Sequence, residues 1–215
     1  MKNNNICILV DNDSWILSYA EKLQSILSGL GYVASLVRKA EHVSEGFVNF
    51  MLGCTNIVSK NVLEKNKHNL VVHESALPLG RGFSPMSWQI IEGKSEIPIC
   101  LLEADENVDA GQIWIQDSIE LNGTELVNDW RALQGEKTVE LCLLFLKNYE
   151  SLKPISQAGV STWYRRRTTM DSILDINKSL SDQFNLLRTV DNEKYPAFFE
   201  FAGKTYLIKI EKLDK

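Results

Sequence analysis

Apolar residues fall in short unbroken runs in the first half of the chain and in a helical rhythm in two longer stretches. Ile6-Cys7-Ile8-Leu9-Val10 is wholly apolar and is closed by Asp11-Asn12-Asp13-Ser14, the pattern of a strand buried on both faces that leads into a helix. Asp13 or Ser14 would cap that helix, in which Ile16, Leu17, Ala20, Leu23, Ile26 and Leu27 recur at helical spacing until Gly29 and Gly31 end it. A second strand is predicted over 32–37. Residues 46–52 suit either element. Residues 56–59 and 70–73 read as short buried strands separated by a polar helix over 61–67.

Past His73 the chain enters a loop with Pro78, Gly80, Gly82 and Pro85, then a helix over 87–93 and an apolar strand over 97–102. An acidic turn over 103–109 leads to an alternating, half-exposed strand over 113–119, and Asn122-Gly123 marks the turn out of it. Residues 124–149 form a long amphipathic helical pattern with Leu126, Trp130, Leu133, Leu141, Leu144 and Phe145 facing inward; Gly135 is the position where it could be interrupted. Beyond Pro154 the chain turns polar and rich in arginine and aromatics, which places a boundary near residue 151. Residues 197–210 read as a terminal β-hairpin turning at Ala202-Gly203. Strands alternating with helices predict an α/β fold. The expected architecture is a Rossmann-like, mostly parallel sheet with helices on both faces over 1–150, plus a small C-terminal subdomain over 151–215 that ends in the hairpin.

Composition narrows the setting. The 215 residues are 44% hydrophobic and 24% charged, with a net charge of −5, so a metal-free core is expected and a non-specific nucleic-acid binder is not. Cys7, Cys54, Cys100 and Cys142 are scattered among apolar neighbours with no zinc spacing, which suits reduced core thiols in a cytoplasmic protein. The polar start and the five-residue run after it are too short for a signal segment, and no stretch approaches the ~20 apolar residues of a membrane helix.

The candidate chemistry lies at strand ends, where open parallel sheets form their sites. No GxGxxG or P-loop follows the first strand, and Asp11 and Asp13 would repel a pyrophosphate there. His73 ends an apolar strand and opens the loop His73-Glu-Ser-Ala-Leu-Pro-Leu-Gly-Arg-Gly82. Asp109, in Val108-Asp-Ala-Gly111, lies 36 positions later at another strand-turn unit on the same expected sheet edge. A histidine beside an aspartate is a tuned base.

The HxSxLPxxRG pattern at 73–82, Ser84-Pro85, Trp88 and the Val-Asp-Ala-Gly at 108–111 resemble the formyltransferases that use N10-formyltetrahydrofolate. Ser161-Thr-Trp-Tyr-Arg-Arg-Arg167, Asp175-Ile-Asn-Lys178, Gln183–Arg188 and Asp191–Phe199 are similar to those that formylate nucleotide-linked amino sugars, in particular on the pseudaminic-acid route with a UDP-linked amino-altrosamine. The resemblance implies that N10-formyltetrahydrofolate is the co-substrate, with no metal. His73 would be the general base and Asp109 its orienting partner. Ile57, Asp105 and Glu106 would offer main-chain contacts to the pterin, and Leu77 and Arg81 the other wall of its slot. Trp163, Arg165, Arg166, Asn192 and Tyr195 would contact the nucleotide sugar.

Such relatives carry an asparagine two residues before the histidine as oxyanion donor, and this chain has Val71. Asn56, Asn69, Asn107, Ser75, backbone amides and His73 itself are the alternatives. Partner expectations are a nucleotide-linked amino sugar, no nucleic acid and no membrane, with homodimerisation through the Ile113 strand or the terminal hairpin as the open assembly. The rival readings are a methionyl-tRNA formyltransferase-like enzyme, which would normally add a larger basic C-terminal domain; a glycinamide-ribonucleotide formyltransferase, which needs a phosphate loop after the first strand; and a non-catalytic folate or sugar-nucleotide binding module, with Val71 as the damaged position.

Overall fold

A computed structural model describes residues 4–213; the first three residues of the polar start lie outside it. The first strand, β1 (Asn5–Leu9), is buried along its apolar run because both faces of the sheet are covered. Alternation sends Ile6 and Ile8 into the main core and Cys7 and Leu9 into a second cluster on the opposite face. Each such fully buried aliphatic side chain contributes about 1.5–3 kcal/mol.

Around β1 the sheet is completed by β2 (Val33–Val37), β3 (Gly46–Met51), β4 (Asn66–His73), β6 (Glu96–Glu103) and β7 (Ile113–Glu120), in the order β2-β1-β3-β4-β6-β7. The pairs among β1 to β4 are parallel. β6 is antiparallel to both of its neighbours, so it alone runs against the other strands. Helices α1 (Leu17–Gly29) and α4 (Val127–Asn148) pack together against the main core. The other face is covered by the one-turn α2 (Lys60–Leu63), a 3-10 turn at Ala40–His42 and the loop after β3.

Several local expectations are revised. Helix α1 begins at Leu17 with no side-chain cap, and Asp13 instead pairs with Arg38 at 2.7 Å. Residues 56–59 form a loop, because the Thr55 and Asn56 amides donate to the Asp11 carboxylate at 2.9 Å and Ile57 is 83% exposed. The expected polar helix is only the single turn of α2, and β4 already begins at Asn66. Asn66, His68 and Asn69 on it are buried. His68 is held on both sides, Nδ1 3.1 Å from Glu103 and Nε2 2.9 Å from the Tyr149 hydroxyl, whereas Asn66 Oδ1 has no hydrogen-bond partner among the described residues. Hydropathy alone cannot see such a strand.

Helix α4 runs unbroken through Gly135, whose role is close packing; a Cβ there would come within 2.5 Å of the Tyr19 ring on α1. Leu133 is 41% exposed, and Gln134 and Thr138 are buried instead. Apolar residues of β7 are buried or half-buried, whereas the hairpin of β9 (Ala197–Phe201) and β10 (Lys204–Ile208) exposes Phe201, Tyr206 and Leu207. Its turn has Ala202 and Gly203 both at positive φ, as a two-residue hairpin turn requires.

The C-terminal segment has a small core of its own, built from Leu174, Leu187, Val190 and Ala197. Several contacts fasten it to the larger unit. Buried Arg188 pairs with Glu125 at 3.0 Å, the Trp130 indole donates to the Arg188 carbonyl, and a two-residue strand β5 (Arg81–Gly82) pairs in parallel with β8 (Trp163–Tyr164). Helix α3 (Pro85–Ile91) meets the short α5 (Phe184–Leu187) alongside.

Candidate active site

A cavity of about 820 Å³ opens at the carboxyl ends of β1, β3 and β4, a size suited to small-molecule ligands. His73 and Asp109 both line it. The imidazole is buried; its Nε2–H donates to the Gly80 carbonyl at 2.8 Å, which leaves Nδ1 as the basic atom, 3.7 Å from Asp109 Oδ2. Asp109 sits at φ 52°, a left-handed conformation that aspartate tolerates, and the Gln157 amide holds its carbonyl at 2.8 Å. Its Oδ2 also accepts the Gly82 amide at 2.8 Å. Gly82 has φ 100°, and any side chain there would strike the Tyr164 carbonyl, so the β5–β8 contact requires glycine. The carboxylate is therefore aimed at the ring by the Gly82 amide, while the Gln157 side chain fixes the backbone that carries it. A proton arriving at Nδ1 would meet a fixed negative charge.

The cavity has two ends. One is walled by Asn56, Ile57, Val58, Leu63 and the turn from Ala104 to Val108, and the other by Trp15, Arg131, Gln134, Asp191, Lys194 and Tyr195. At the first end the 55–56 loop is clamped by Asp11. Burial alone would raise the Asp11 carboxyl, but hydrogen bonds from Asn12, Thr55 and Asn56 outweigh it and hold the group below the usual carboxylate range. Cys54 nearby is pushed up to about 12 by burial and the Asp11 charge, so it is no nucleophile. At the second end Arg131 pairs with Asp191 at 2.9 Å and lies over the rings of Trp15 and Trp130. No group of three or more metal-ligating side chains occurs among the described residues.

Residues 38–134 match the formyl transferase family model. That segment contains both His73 and Asp109. A methionyl-tRNA formyltransferase from Rickettsia felis is 28% identical over 116 residues, 54% of this chain and 38% of the relative, so the chain spans about two-fifths of the curated protein it matches. Three solved structures share the fold. A methionyl-tRNA formyltransferase from Clostridium thermocellum superposes with a TM-score of 0.80 at 21% identity, covering 98% of this chain and 93% of that one. HypX from Aquifex aeolicus in complex with tetrahydrofolic acid gives 0.76 at 20% identity, covering 94% and 36%. A sugar N-formyltransferase from a Shewanella species gives 0.71 at 15% identity, covering 98% and 99%.

Of the other sequence-predicted positions, Ile57, Asp105, Glu106 and Tyr195 line the cavity. Leu77 lies off the wall in an apolar cluster with Cys100 and Leu102, and Arg81 bonds Gln157 and lies over Trp163, so these two support the 73–82 loop from behind. Trp163, Arg165 and Arg166 are outside the cavity: Arg165 forms a close ion pair with Asp171 and lies over Trp88, while Arg166 covers Phe83, itself a lining residue. Asn192 is committed to both backbone groups of Ile210 and does not reach the cavity.

Val71 is on the wall where an amide donor was expected. Asn69 does not replace it, since it is not on the cavity wall and its side-chain amide is bound to the Leu63 carbonyl at 2.7 Å. Asn56 and Asn107 are on the wall, the Asn56 amide with one N–H given to the Asp11 carboxylate at 2.8 Å. Sequence reasoning missed Glu74, Arg131, Gln134, Asp191 and Lys194. Only Glu74 carried a signal, as an ionisable residue directly after the histidine.

Proposed function

We propose that this protein transfers the formyl group of N10-formyltetrahydrofolate to the amine of a nucleotide-linked amino-dideoxy sugar, with a UDP-linked 4-amino-4,6-dideoxy-N-acetyl-β-L-altrosamine as the first acceptor to test. The convergence of His73 and Asp109 on one cavity carries this reading. The folate head group suits the end walled by 56–58 and 104–108, where exposed main-chain groups can pair with an amide-like ring. The sugar enters from the opposite end, past Arg131, Lys194 and Tyr195, whose cations suit a diphosphate and whose ring suits a base.

The amine nitrogen attacks the formyl carbon, its surplus proton passes to His73 Nδ1, and the N10–carbon bond breaks as that proton is delivered to the folate nitrogen. Asp109 stabilises the protonated ring, a role consistent with the ~10²–10⁴-fold effect of a positioned general base. Asn56, Asn107 or the imidazolium itself meets the developing oxyanion in place of the missing side chain at 71.

A second reading, formylation of an aminoacyl-tRNA, is favoured by the curated relatives' names but opposed by the net charge of −5. Single-turnover reactions with N10-formyltetrahydrofolate against a panel of UDP- and dTDP-linked amino sugars and initiator tRNA decide between them. Tetrahydrofolate release with a sugar is expected; turnover with tRNA alone, or ligand binding with no turnover, would overturn the proposal. The reading also places the enzyme in the cytoplasm and gives the exposed hairpin as the face for a homodimer.

A further inference from the structure

Glu74 is the residue in the cavity wall whose chemistry the formyl-transfer reading leaves unused. It directly follows His73 and is buried, although it carries a carboxyl group. The Gln134 side chain, reaching across from α4, lines the same cavity, and its Oε1 is buried without a hydrogen-bond partner among the described residues. Thr138, one turn further along α4, gives its hydroxyl to the Gln134 carbonyl at 2.8 Å and leaves the Gln134 side chain free to face the cavity. The nearest charged groups on the elements around Glu74 are His73 on its own strand and Asp109 on the facing turn. Burial pushes the Glu74 carboxyl above the usual carboxylate range, and the neighbouring His73 ring offsets this only in part. Two hydrogen-bond acceptors, one of them ionisable, thus share the cavity with the basic imidazole. Among the described residues the Gln134 Oε1 has no hydrogen-bond partner at all. A buried acceptor pair of this kind is satisfied by a ligand that brings its own donors and positive charge.

We propose that Glu74 and Gln134 form the subsite that receives the acceptor's amino group as an ammonium ion, selecting an amine over a hydroxyl and holding its nitrogen beside His73. The inference rests on the formyl-transfer reading. On binding, the Glu74 carboxylate and the Gln134 Oε1 accept hydrogen bonds from the ammonium; one N–H proton then moves to the carboxylate, which leaves the neutral amine that attacks. Glu74 is the specificity-determining group, and Gln134 positions it.

Glu74→Gln keeps the volume but removes the charge. With the amino-sugar panel as acceptors, the KM for the amine is expected to rise about 10- to 100-fold, the loss typical of a charge-assisted hydrogen bond, while the KM for N10-formyltetrahydrofolate stays within twofold. Binding of the neutral N-formylated product should be unchanged. Gln134→Met should raise the amine KM by a smaller factor, and thermal melting of both variants reports folding separately. If wild-type enzyme formylates a sugar but the amine KM of a folded Glu74→Gln variant stays within twofold, this inference alone falls. Equal loss of folate and amine binding would also overturn it, as would a wild-type enzyme that formylates no member of the panel, which removes the underlying reading too.

Discussion

Replacing Asp109 with asparagine separates what its charge does from what its position does. The carboxylate Oδ2 lies 3.7 Å from His73 Nδ1, and both side chains are largely buried. Opposite unit charges about 4 Å apart attract by ~4 kcal/mol at an effective dielectric near 20. Allowing half of that for relaxation and water, the protonated ring would lose about 2–4 kcal/mol, a fall of roughly 30- to 1,000-fold in the transfer step. Asparagine can still accept the Gly82 amide and tolerates the left-handed backbone, so folding should change little. Asp109→Ala removes that acceptor as well and should cost about 1–3 kcal/mol of folding free energy on top of the rate loss. Rapid-quench single-turnover reactions give the rates, and urea unfolding gives the stabilities. A rate for the asparagine variant within threefold of wild type would refute the claim that a negative charge at 109 supports proton transfer.

Other outcomes follow from the packing. Gly135→Ala gains ~1 kcal/mol of helix propensity but overlaps the Tyr19 ring, so a net loss of about 1–2 kcal/mol is expected in urea melts, reversing to a gain in a Tyr19→Ala background. Glu125→Gln strips the counter-charge from buried Arg188 and should cost about 3–5 kcal/mol. In the wild type, burial alone would raise the Glu125 carboxyl, but the Asn122 and Gly123 amides and Arg188 outweigh it and hold it below its usual value. Its contribution is therefore present above an ordinary glutamate pKa of about 4.3 and is lost as pH falls through the lower folded value; unfolding of the glutamine variant should lack that acid-limb dependence. Cys54, at about 12, should react with iodoacetamide at pH 8 roughly a thousandfold more slowly than a free thiol, and Cys100 and Cys142, raised by burial, should label only on unfolding.

The strands that read most clearly from sequence were those whose apolar runs face covered surfaces on both sides, such as Ile6 to Leu9 and Ile97 to Leu102. The start of β4 was hidden because Asn66, His68 and Asn69 are buried through partners on other elements, and the 56–59 loop was misread because its amides go to a side chain 45 positions away. His73 and Asp109 were legible as strand-end residues. The second end of the cavity was not. Arg131 and Gln134 come from the middle of a helix whose pattern advertised only packing, and Asn192 looked like a ligand contact but closes the chain onto Ile210.

The short pairing of residues 81–82 with 163–164 ties the polypeptide beyond residue 151 to the aim of the Asp109 carboxylate, through the Gly82 amide. Excising or grafting that tail would therefore release the Asp109 carboxylate from its aim at His73 as well. A force that pulls Tyr164 away from Gly82 would slacken the carboxylate facing the imidazole, so strain in the tail reaches that side chain through a single amide.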